Sequence, residues 1–491
     1  MGDPMDIRNL TVRYVWLQTF ERVERMCAIL NSDHRSTRNA ERQVIETFRL
    51  RLEEVRGTLF SALASLGSVD AEMDDALCGS FLRLTSASMA DVHHMHRHLS
   101  LIDSRWTPPE AYAFVHALFS PLQSHAVHRL SVVPSDTYMF EQAHLSALLN
   151  SATARNAPSA PTLFIPKIEA ANPLQWGTLV HEMGHAFSSH VDEFLDRCFV
   201  ENTKLLPSIT RERPQHSRVV RNWTNELFCD LLATFLLGPA YIASFVDFSL
   251  VAAPASQDPF GSSHSHPAAQ WRLSLIWDTL KDTATDAHVG LTSELGQCWP
   301  DLGTFMREIF ATRVELDKKY LGGSSNRAPI DARVLKEEIV THLPSLVRAI
   351  GAEAPRLARV RYLRERLDRK VPIATVSLFE QSQSREEARQ RVVKFQESLR
   401  FRPADADASR GELVDLLAGV RETPCSVAEI VCAGWLHKIE AIYLPQLARL
   451  EAFTPESGSE LFRSLLQVDA LIRTSVETSY LSTLLSPPDE S

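Results

Sequence analysis

The chain has 491 residues, of which 44% are hydrophobic and 23% charged, proportions that are ordinary for a globular protein with a large core. Its 51 basic and 61 acidic residues give a formal net charge of −10, which argues against non-specific binding to nucleic acid. The seven cysteines are scattered and never form a CxxC pair, so neither a disulfide framework nor a cysteine-rich zinc site is predicted. This usage favours a reducing compartment, and we expect a cytoplasmic protein.

The sequence predicts no attachment to a membrane. Residues 1–4 lead into charged residues without the apolar core of a signal peptide. The one stretch that resembles a membrane span, residues 231–253, is broken by Gly238-Pro239 and interrupted by Asp247. We therefore interpret it as buried core and expect no integral membrane span.

Changes in composition along the chain predict three regions. Apolar residues at helical spacing between 11 and 66 predict two long helices within an N-terminal helical region, residues 1–133. Prolines and small residues between 134 and 173 mark the entry to a second domain, residues 134–300. Amphipathic helical patterns beyond it predict a C-terminal helical domain, residues 301–491.

The most informative stretch is the pentapeptide His181-Glu182-Met183-Gly184-His185. Two histidines four residues apart on a helix lie on one face, one turn apart, which is the separation that one tetrahedral zinc ion requires. The glutamate after the first histidine can then take a proton from a metal-bound water. The glycine would let the backbone approach the metal or a substrate. Taken alone, the same pattern also fits a solvated helix face.

The residues around this pentapeptide predict a helix with a buried back. We expect Asn172 to cap its N-terminus and Pro173 to occupy the first helical position. One side of the helix is apolar and is expected to pack into a core, which leaves the histidines on a different side. The apolar positions are Trp176, Leu179, Val180, Met183 and Phe187.

A short β-prone segment, residues 163–168, precedes this helix. Because Pro166 lacks a backbone N–H, the segment suits an edge strand better than a central one. An unpaired edge offers backbone hydrogen bonds to an extended chain of any sequence. A peptide is therefore a better expected substrate than a small amide.

The third metal ligand decides the class of site. Ser188 and Val191 stand where a metzincin would have a glycine and a third histidine, so that class is excluded. A second apolar helix begins near Trp223 and carries Glu226 and Asp230, four residues apart and therefore on one face. Buried carboxylates need a positive partner, and a zinc ion with its histidine ligands is one.

The order of the motifs HExxH, ExxxD and HPxxxxR resembles the core of the gluzincin metallopeptidases of the HtpX-like and CAAX-prenyl-protease type. The third motif is formed by His266-Pro267 and Arg272, and Gly238-Pro239-Ala240-Tyr241 lies between the second and the third. The resemblance covers only about residues 163–280. The membrane spans of many of these relatives are not expected here.

This resemblance implies a mainly α protein with a zincin-like α+β core, made of an HExxH helix, a small edge-strand sheet and a second ligand-bearing helix, flanked by helical regions. It implies one zinc ion held by His181, His185 and Glu226, with Asp230 orienting a ligand histidine from behind. Glu182 would then accept a proton from the zinc-bound water and pass it to the leaving amine.

A further donor besides zinc is needed to stabilise the oxyanion. Tyr241, His266 and Arg272 are the candidates, and the sequence does not choose between them. Tyr241 as a core residue and Arg272 as part of a helix-anchoring ion pair are equally good interpretations.

The sequence thus predicts a zinc metalloendopeptidase of the gluzincin type that acts on a peptide or protein. The alternative is a helical regulatory or scaffold protein whose zinc site is structural or degenerate. A third hypothesis makes the hydrolase latent, with terminal helices covering its cleft. Residues 91–98 are also rich in histidine, and His94 and His98 fit either a second metal site or a solvated helix face.

Overall fold

The computed structural model describes residues 6–31, 39–67, 72–102, 109–119, 131–143, 160–201, 214–251, 262–283, 300–321, 342–343, 346–347 and 427–485. Helices predominate and are accompanied by one three-stranded sheet, so the prediction of a mainly α protein is confirmed.

The two long helices predicted near the N-terminus are present, and two more follow them. The first is buried almost all the way round, because the second, third and several later helices pack around it. Its Trp16 stacks on Phe20, and both rings meet the edge of Phe453 from the C-terminal part of the chain. The four helices are α1 (Ile7–Asn31), α2 (Asn39–Leu63), α3 (Asp75–Ile102) and α4 (Pro109–Phe119).

The sheet consists of β1 (Ser131–Ser135), β2 (Met139–Ala143) and β3 (Ala160–Pro166), in the order β1-β3-β2. Strand β3 runs parallel to β1 and antiparallel to β2. The prediction that residues 163–168 form an edge strand is therefore wrong, because β3 is the central strand. Pro166 misled that prediction: it stands at the last position of the strand, beyond the residues that pair with β2, so only β1 lies beside it.

After β3 the chain forms the elements that carry the predicted histidine motif. These are α5 (Lys167–Ala170), a 3₁₀ turn (Pro173–Trp176), α6 (Gly177–Gly184), a second 3₁₀ turn (His185–Phe187) and α7 (Ser188–Glu201). Pro173 does begin the first of these turns. Asn172 occupies the N-cap position, as predicted, but its side chain makes no capping hydrogen bond; its Nδ2 donates instead to Glu169 Oε2 at 2.8 Å.

Four further helices complete the middle of the chain. Gly238 separates the first two with a φ of 57°, a left-handed conformation that favours glycine. Residues 231–250 lie mostly in the core, as predicted. No helix in the described part of the chain is long and apolar enough to cross a membrane. The helices are α8 (Pro214–Leu237), α9 (Pro239–Val251), α10 (Ala269–Thr283) and α11 (Pro300–Tyr320).

The C-terminal elements pack directly on the middle of the chain. The Trp435 indole donates to the carbonyl of Leu174 at 3.1 Å, and Ser244 Oγ donates to the same carbonyl at 2.6 Å. Within the predicted C-terminal helical domain, residues 322–426 lie almost entirely outside the described residues. Those described are α12 (Val427–His437), a π-helical segment (Lys438–Tyr443), α13 (Leu444–Leu447), a 3₁₀ turn (Leu450–Ala452) and α14 (Pro455–Leu485).

One hydrophobic cluster includes residues from all three predicted regions. Seven buried charged side chains also connect these regions, and we name them the interhelical charge cluster. In it Arg25 Nη2 lies 2.7 Å from both Glu21 Oε1 and Asp469 Oδ2, and Lys438 Nζ lies 2.9 Å from Glu21 Oε2. The members are Glu21, Arg22, Arg25, Glu169, Asp247, Lys438 and Asp469. The domain boundaries at 133 and 300 stay a prediction.

Candidate metal centre

The two histidines of the pentapeptide lie on one face of consecutive helical turns, with ring centroids 5.4 Å apart. The back of the same segment is fully buried at Leu179, Val180 and Met183, as the apolar stripe predicted. His181 is buried, whereas His185 is about a quarter exposed. The segment therefore has a packed back and a polar front that borders solvent.

Helix α8 brings Glu226 to this front. Glu226 Oε2 lies 3.3 Å from His181 Nε2, and Glu226 Oε1 lies 3.6 Å from His185 Nε2. Two ligand atoms of a tetrahedral zinc ion with nitrogen and oxygen ligands are roughly 3.3 Å apart. Glu226 Oε2 is buried, and no donor among the described residues forms a hydrogen bond with it. These two distances are compatible with a shared metal ion.

A close approach of α6 and α8 makes this meeting possible. A Cβ atom at Gly184 would lie 2.9 Å from Cys229 Sγ and 3.1 Å from Cys229 Cα, closer than two helices with ordinary side chains can pack. The glycine thus gives room to the backbone of α8. That the glycine also lets the backbone approach a metal or a substrate stays a prediction.

Asp230 lies behind His181 and is fully buried. Its Oδ1 is 2.9 Å from His181 Nδ1 and accepts a hydrogen bond from the hydroxyl of Tyr241 at 2.6 Å. Arg272 donates to both carboxylate oxygens, from Nε at 2.7 Å and from Nη2 at 2.8 Å. The structure thus brings Asp230 to the ring nitrogen of His181 that faces away from Glu226.

The three candidates for the oxyanion donor are separated by this geometry. Tyr241 is buried and Arg272 is nearly buried, and both donate hydrogen bonds to Asp230. His266 is 54% exposed, with Nε2 only 3.5 Å from Glu226 Oε1 and Nδ1 2.8 Å from Ser265 Oγ. Of the three, His266 is the one at the solvent side of the site.

Glu182 lies between the histidines and the sheet. Its side chain is partly exposed and accepts a hydrogen bond from the backbone of Phe140 in β2. Burial raises the pKa of this carboxyl. The edge strand nearest the site is therefore β2, residues 139–143, and not the predicted segment 163–168.

Cys229 is a member of the site that the sequence analysis missed. It is fully buried, and its Sγ lies 3.5 Å from His185 Nδ1. Possible ligand atoms of His181, His185 and Cys229 all lie within 4.8 Å of one another, so this group could bind a metal ion. The available signal was its position, three residues after Glu226 on the same helix, where i and i+3 side chains are neighbours.

The carboxylates set the electrostatics of the centre. Burial alone would lower the pKa of His181, but the hydrogen-bonded carboxylate of Asp230 and that of Glu226 raise it to about 10. Burial would likewise raise the pKa of Glu226, yet His181 beside it lowers the value to about 2. Burial and the neighbouring His181 lower the pKa of His185 to about 4. The site therefore strongly favours positive charge between the carboxylates.

The second predicted histidine pair, His94 and His98, is not surrounded by comparable ligand groups. His94 and His98 contact each other, with ring centroids 4.6 Å apart, but in the part of the chain that the structure describes no third ligand of suitable spacing joins them. Between them, His96 is buried, and its Nε2 accepts a hydrogen bond from the backbone N–H of Ile168 at 3.3 Å.

Comparisons with protein-family models, with curated proteins and with solved structures found no match to this chain. The residues and their geometry therefore carry the functional argument alone.

Proposed function

We propose that this protein is a zinc-dependent metallopeptidase of the gluzincin type, in which His181, His185 and Glu226 hold one zinc ion. One observation carries the proposal: the Nε2 atoms of two histidines face the same buried carboxylate, at 3.3 and 3.6 Å, and one oxygen of that carboxylate receives no hydrogen bond. Nitrogen and oxygen ligands in this number suit a catalytic zinc site that keeps one open position.

The balance of charge supports a divalent cation. The site contains three carboxylates, those of Glu182, Glu226 and Asp230, and one guanidinium, that of Arg272. Histidines bind a metal ion in their neutral form, and with neutral histidines the formal charge is −2; without a metal, the raised pKa of His181 means that this ring takes up a proton instead. Uncompensated buried charge is costly, and one divalent ion would offset this deficit.

A zinc ion bound here would act as a Lewis acid and lower the pKa of a bound water. Glu182, beside the first histidine, would take a proton from the attacking water and return it to the leaving amine. Asp230 would hold the Nδ1 proton of His181 and so direct Nε2 towards Glu226. His266, at the open side, would donate to the oxyanion.

Strand β2 supports a peptide substrate. It is an edge strand beside Glu182, and no further strand pairs with its outer side within the described residues. An extended peptide can add to such an edge through backbone hydrogen bonds, which require no particular sequence. The exposed edge is formed by residues 139–143 and not by the predicted residues 163–168, because β3 lies between β1 and β2.

Glu182→Gln tests the proposal. The variant keeps the three proposed ligands, so we expect it to retain zinc while its cleavage of a peptide library falls by on the order of 10²–10⁴-fold. Zinc is measured by elemental analysis and cleavage by mass spectrometry. Glu193→Gln is the matched control, because Glu193 is exposed on the following helix α7 and should change neither quantity.

A second candidate function is favoured by Cys229. Two histidines and a thiol are a ligand set found in structural zinc sites, as a helical scaffold or regulatory protein would use. Wild-type protein that retains zinc but cleaves no peptide in the library would favour this alternative over the peptidase.

A further inference from the structure

The two histidines differ in what their second ring nitrogen contacts. His181 Nδ1 lies 2.9 Å from the carboxylate of Asp230, whereas His185 Nδ1 lies 3.5 Å from the thiol of Cys229. Asp230 and Cys229 are neighbours on α8, and both are fully buried. A thiol is a much weaker hydrogen-bond partner than a carboxylate, so the two rings are held with different strength.

The thiol of Cys229 is fixed in place by the packing of the two helices. It lies where α6 and α8 approach most closely, since a Cβ atom at Gly184 would be only 2.9 Å from Sγ. The sulfur therefore fills the space between the backbone of Gly184 and the ring of His185. A larger side chain at position 229 would force the helices apart.

The orientation of His185 indicates which of two roles the thiol has. His185 Nε2 faces Glu226, the same carboxylate that His181 Nε2 faces. A metal ion shared by both Nε2 atoms and Glu226 would lie on that side of the ring. Cys229 lies at the other nitrogen, where it is placed to contact the ring and not the ion.

We propose that Cys229 is a positioning residue of the metal centre: its sulfur accepts a hydrogen bond from Nδ1–H of His185 and thereby turns Nε2 towards Glu226. This inference rests on the proposed metal centre. It makes His185 the more weakly held histidine, and His185 is also the more exposed one, with 24% of its side chain exposed against 6% for His181. Release of the metal would therefore begin at His185.

The test uses the full chain loaded with Co²⁺ in place of zinc, with Cys229→Ala, Cys229→Ser and, as a control away from the site, Cys27→Ala. We expect the wild-type spectrum to lack a thiolate-to-cobalt charge-transfer band. Loss of an outer partner of a ligand histidine typically costs about 10–100-fold in metal affinity. Cys229→Ala should therefore release Co²⁺ to a chelator about 10–100-fold faster, Cys229→Ser should recover part of that loss, and Cys27→Ala should match wild type.

Two results would overturn this role. A charge-transfer band that disappears in Cys229→Ser would make the thiol a direct ligand, and wild-type release rates in both Cys229 variants would leave it no role. Cys229→Ser is nearly isosteric and carries the test if the alanine variant does not fold, as judged by circular dichroism. Wild-type protein that binds no Co²⁺ would overturn the metal centre as well, whereas bound Co²⁺ without peptide cleavage would overturn only the peptidase.

Discussion

Two buried groups of charged side chains in this protein differ in how their charges are balanced. In the interhelical charge cluster, three basic groups face four carboxylates, and each carboxylate lies within 3.2 Å of a basic side chain. The candidate metal centre has three carboxylates and only one arginine, and one oxygen of Glu226 has no hydrogen-bond donor among the described residues.

The two groups of buried charges differ in role: one joins helices, and the other borders a possible ligand site. In the balanced cluster, Arg25 of α1 contacts Asp469 of α14, so the ion pairs join helices that lie far apart in sequence. In the unbalanced centre, the shortage of positive charge faces partly exposed groups, namely His185, His266 and Glu182. Buried charge that is fully paired holds elements together, whereas buried charge that lacks a partner beside an opening indicates a site for a ligand.

The largest expected effect comes from breaking the balanced cluster. Arg25→Met removes a guanidinium that contacts both Glu21 and Asp469, all three of them buried. Removing one member of a buried ion pair costs about 3–5 kcal/mol, because the other charge is left uncompensated. We expect the free energy of unfolding, measured by urea titration, to fall by that amount.

The control for this prediction is Arg51→Met. Arg51 also contacts two carboxylates, but its side chain is 53% exposed, and exposed pairs contribute only about 0–1 kcal/mol. Equal losses in the two variants would mean that burial does not distinguish the cluster.

The next largest effect is a pH-dependent loss of stability that comes from His96, whose surroundings differ from those of His181. His96 is buried and accepts a hydrogen bond from a backbone N–H, and burial lowers its pKa to about 4, whereas hydrogen-bonded carboxylates raise the pKa of His181. The folded state therefore holds His96 neutral, and protonation favours unfolding. Its contribution is complete above the unfolded pKa of about 6.5 and is lost as the pH falls towards 4, for a total of about 3 kcal/mol.

His96→Gln isolates this effect, since a side-chain amide oxygen can still accept a hydrogen bond from Ile168 without titrating in this range. Urea titrations at pH 7.5 and 4.5 should give a smaller loss of stability for the variant than for wild type, with the two proteins differing most at the lower pH. Parallel losses in both proteins would exclude His96 as the cause.

The smallest effect on free energy is expected where the charge is unbalanced. Glu226→Gln removes a proposed ligand, and we expect the affinity for zinc to fall by at least about 100-fold, since even outer partners of ligands contribute up to that much. Competition with a chelator measures it. In chelator-treated samples this variant should unfold at a lower urea concentration than wild type, because the pKa of Glu226 is lowered to about 2 and the folded state therefore favours its charged form. We expect this loss to be smaller than that of Arg25→Met, since Glu226 faces one arginine at 3.7 Å and a histidine that can release its proton.

Local patterns predicted the parts of the site that local geometry determines. The four-residue spacing of His181 and His185, and that of Glu226 and Asp230, fixes which side chains share a helix face, and the structure brings both faces together. The roles of Tyr241 and Arg272 were not predictable in this way, since they depend on how α9 and α10 pack against α8.

Contacts between distant segments account for the errors. The order of strands depends on pairing between residues far apart in sequence, so Pro166 could not reveal that β3 is central. Asn172 stands at the cap position, but its side chain bonds to Glu169, three residues earlier, whose other oxygen is paired with Arg22 of α1. Cys229 belongs to no CxxC pair, so its sequence pattern does not predict a place at the metal centre. Its closeness to His185 depends on the crossing of α6 and α8 at Gly184.

The hydrogen bond from Trp435 to the carbonyl of Leu174 has a practical consequence for dissecting this protein. Leu174 belongs to the turn that leads directly into the helix bearing His181, so the last part of the chain helps to fix where that helix begins. A fragment that ends before residue 427 would leave this turn without its indole donor and would expose the apolar surface that α12 covers. Expression of the metal centre as a separate piece would therefore remove part of its own scaffold.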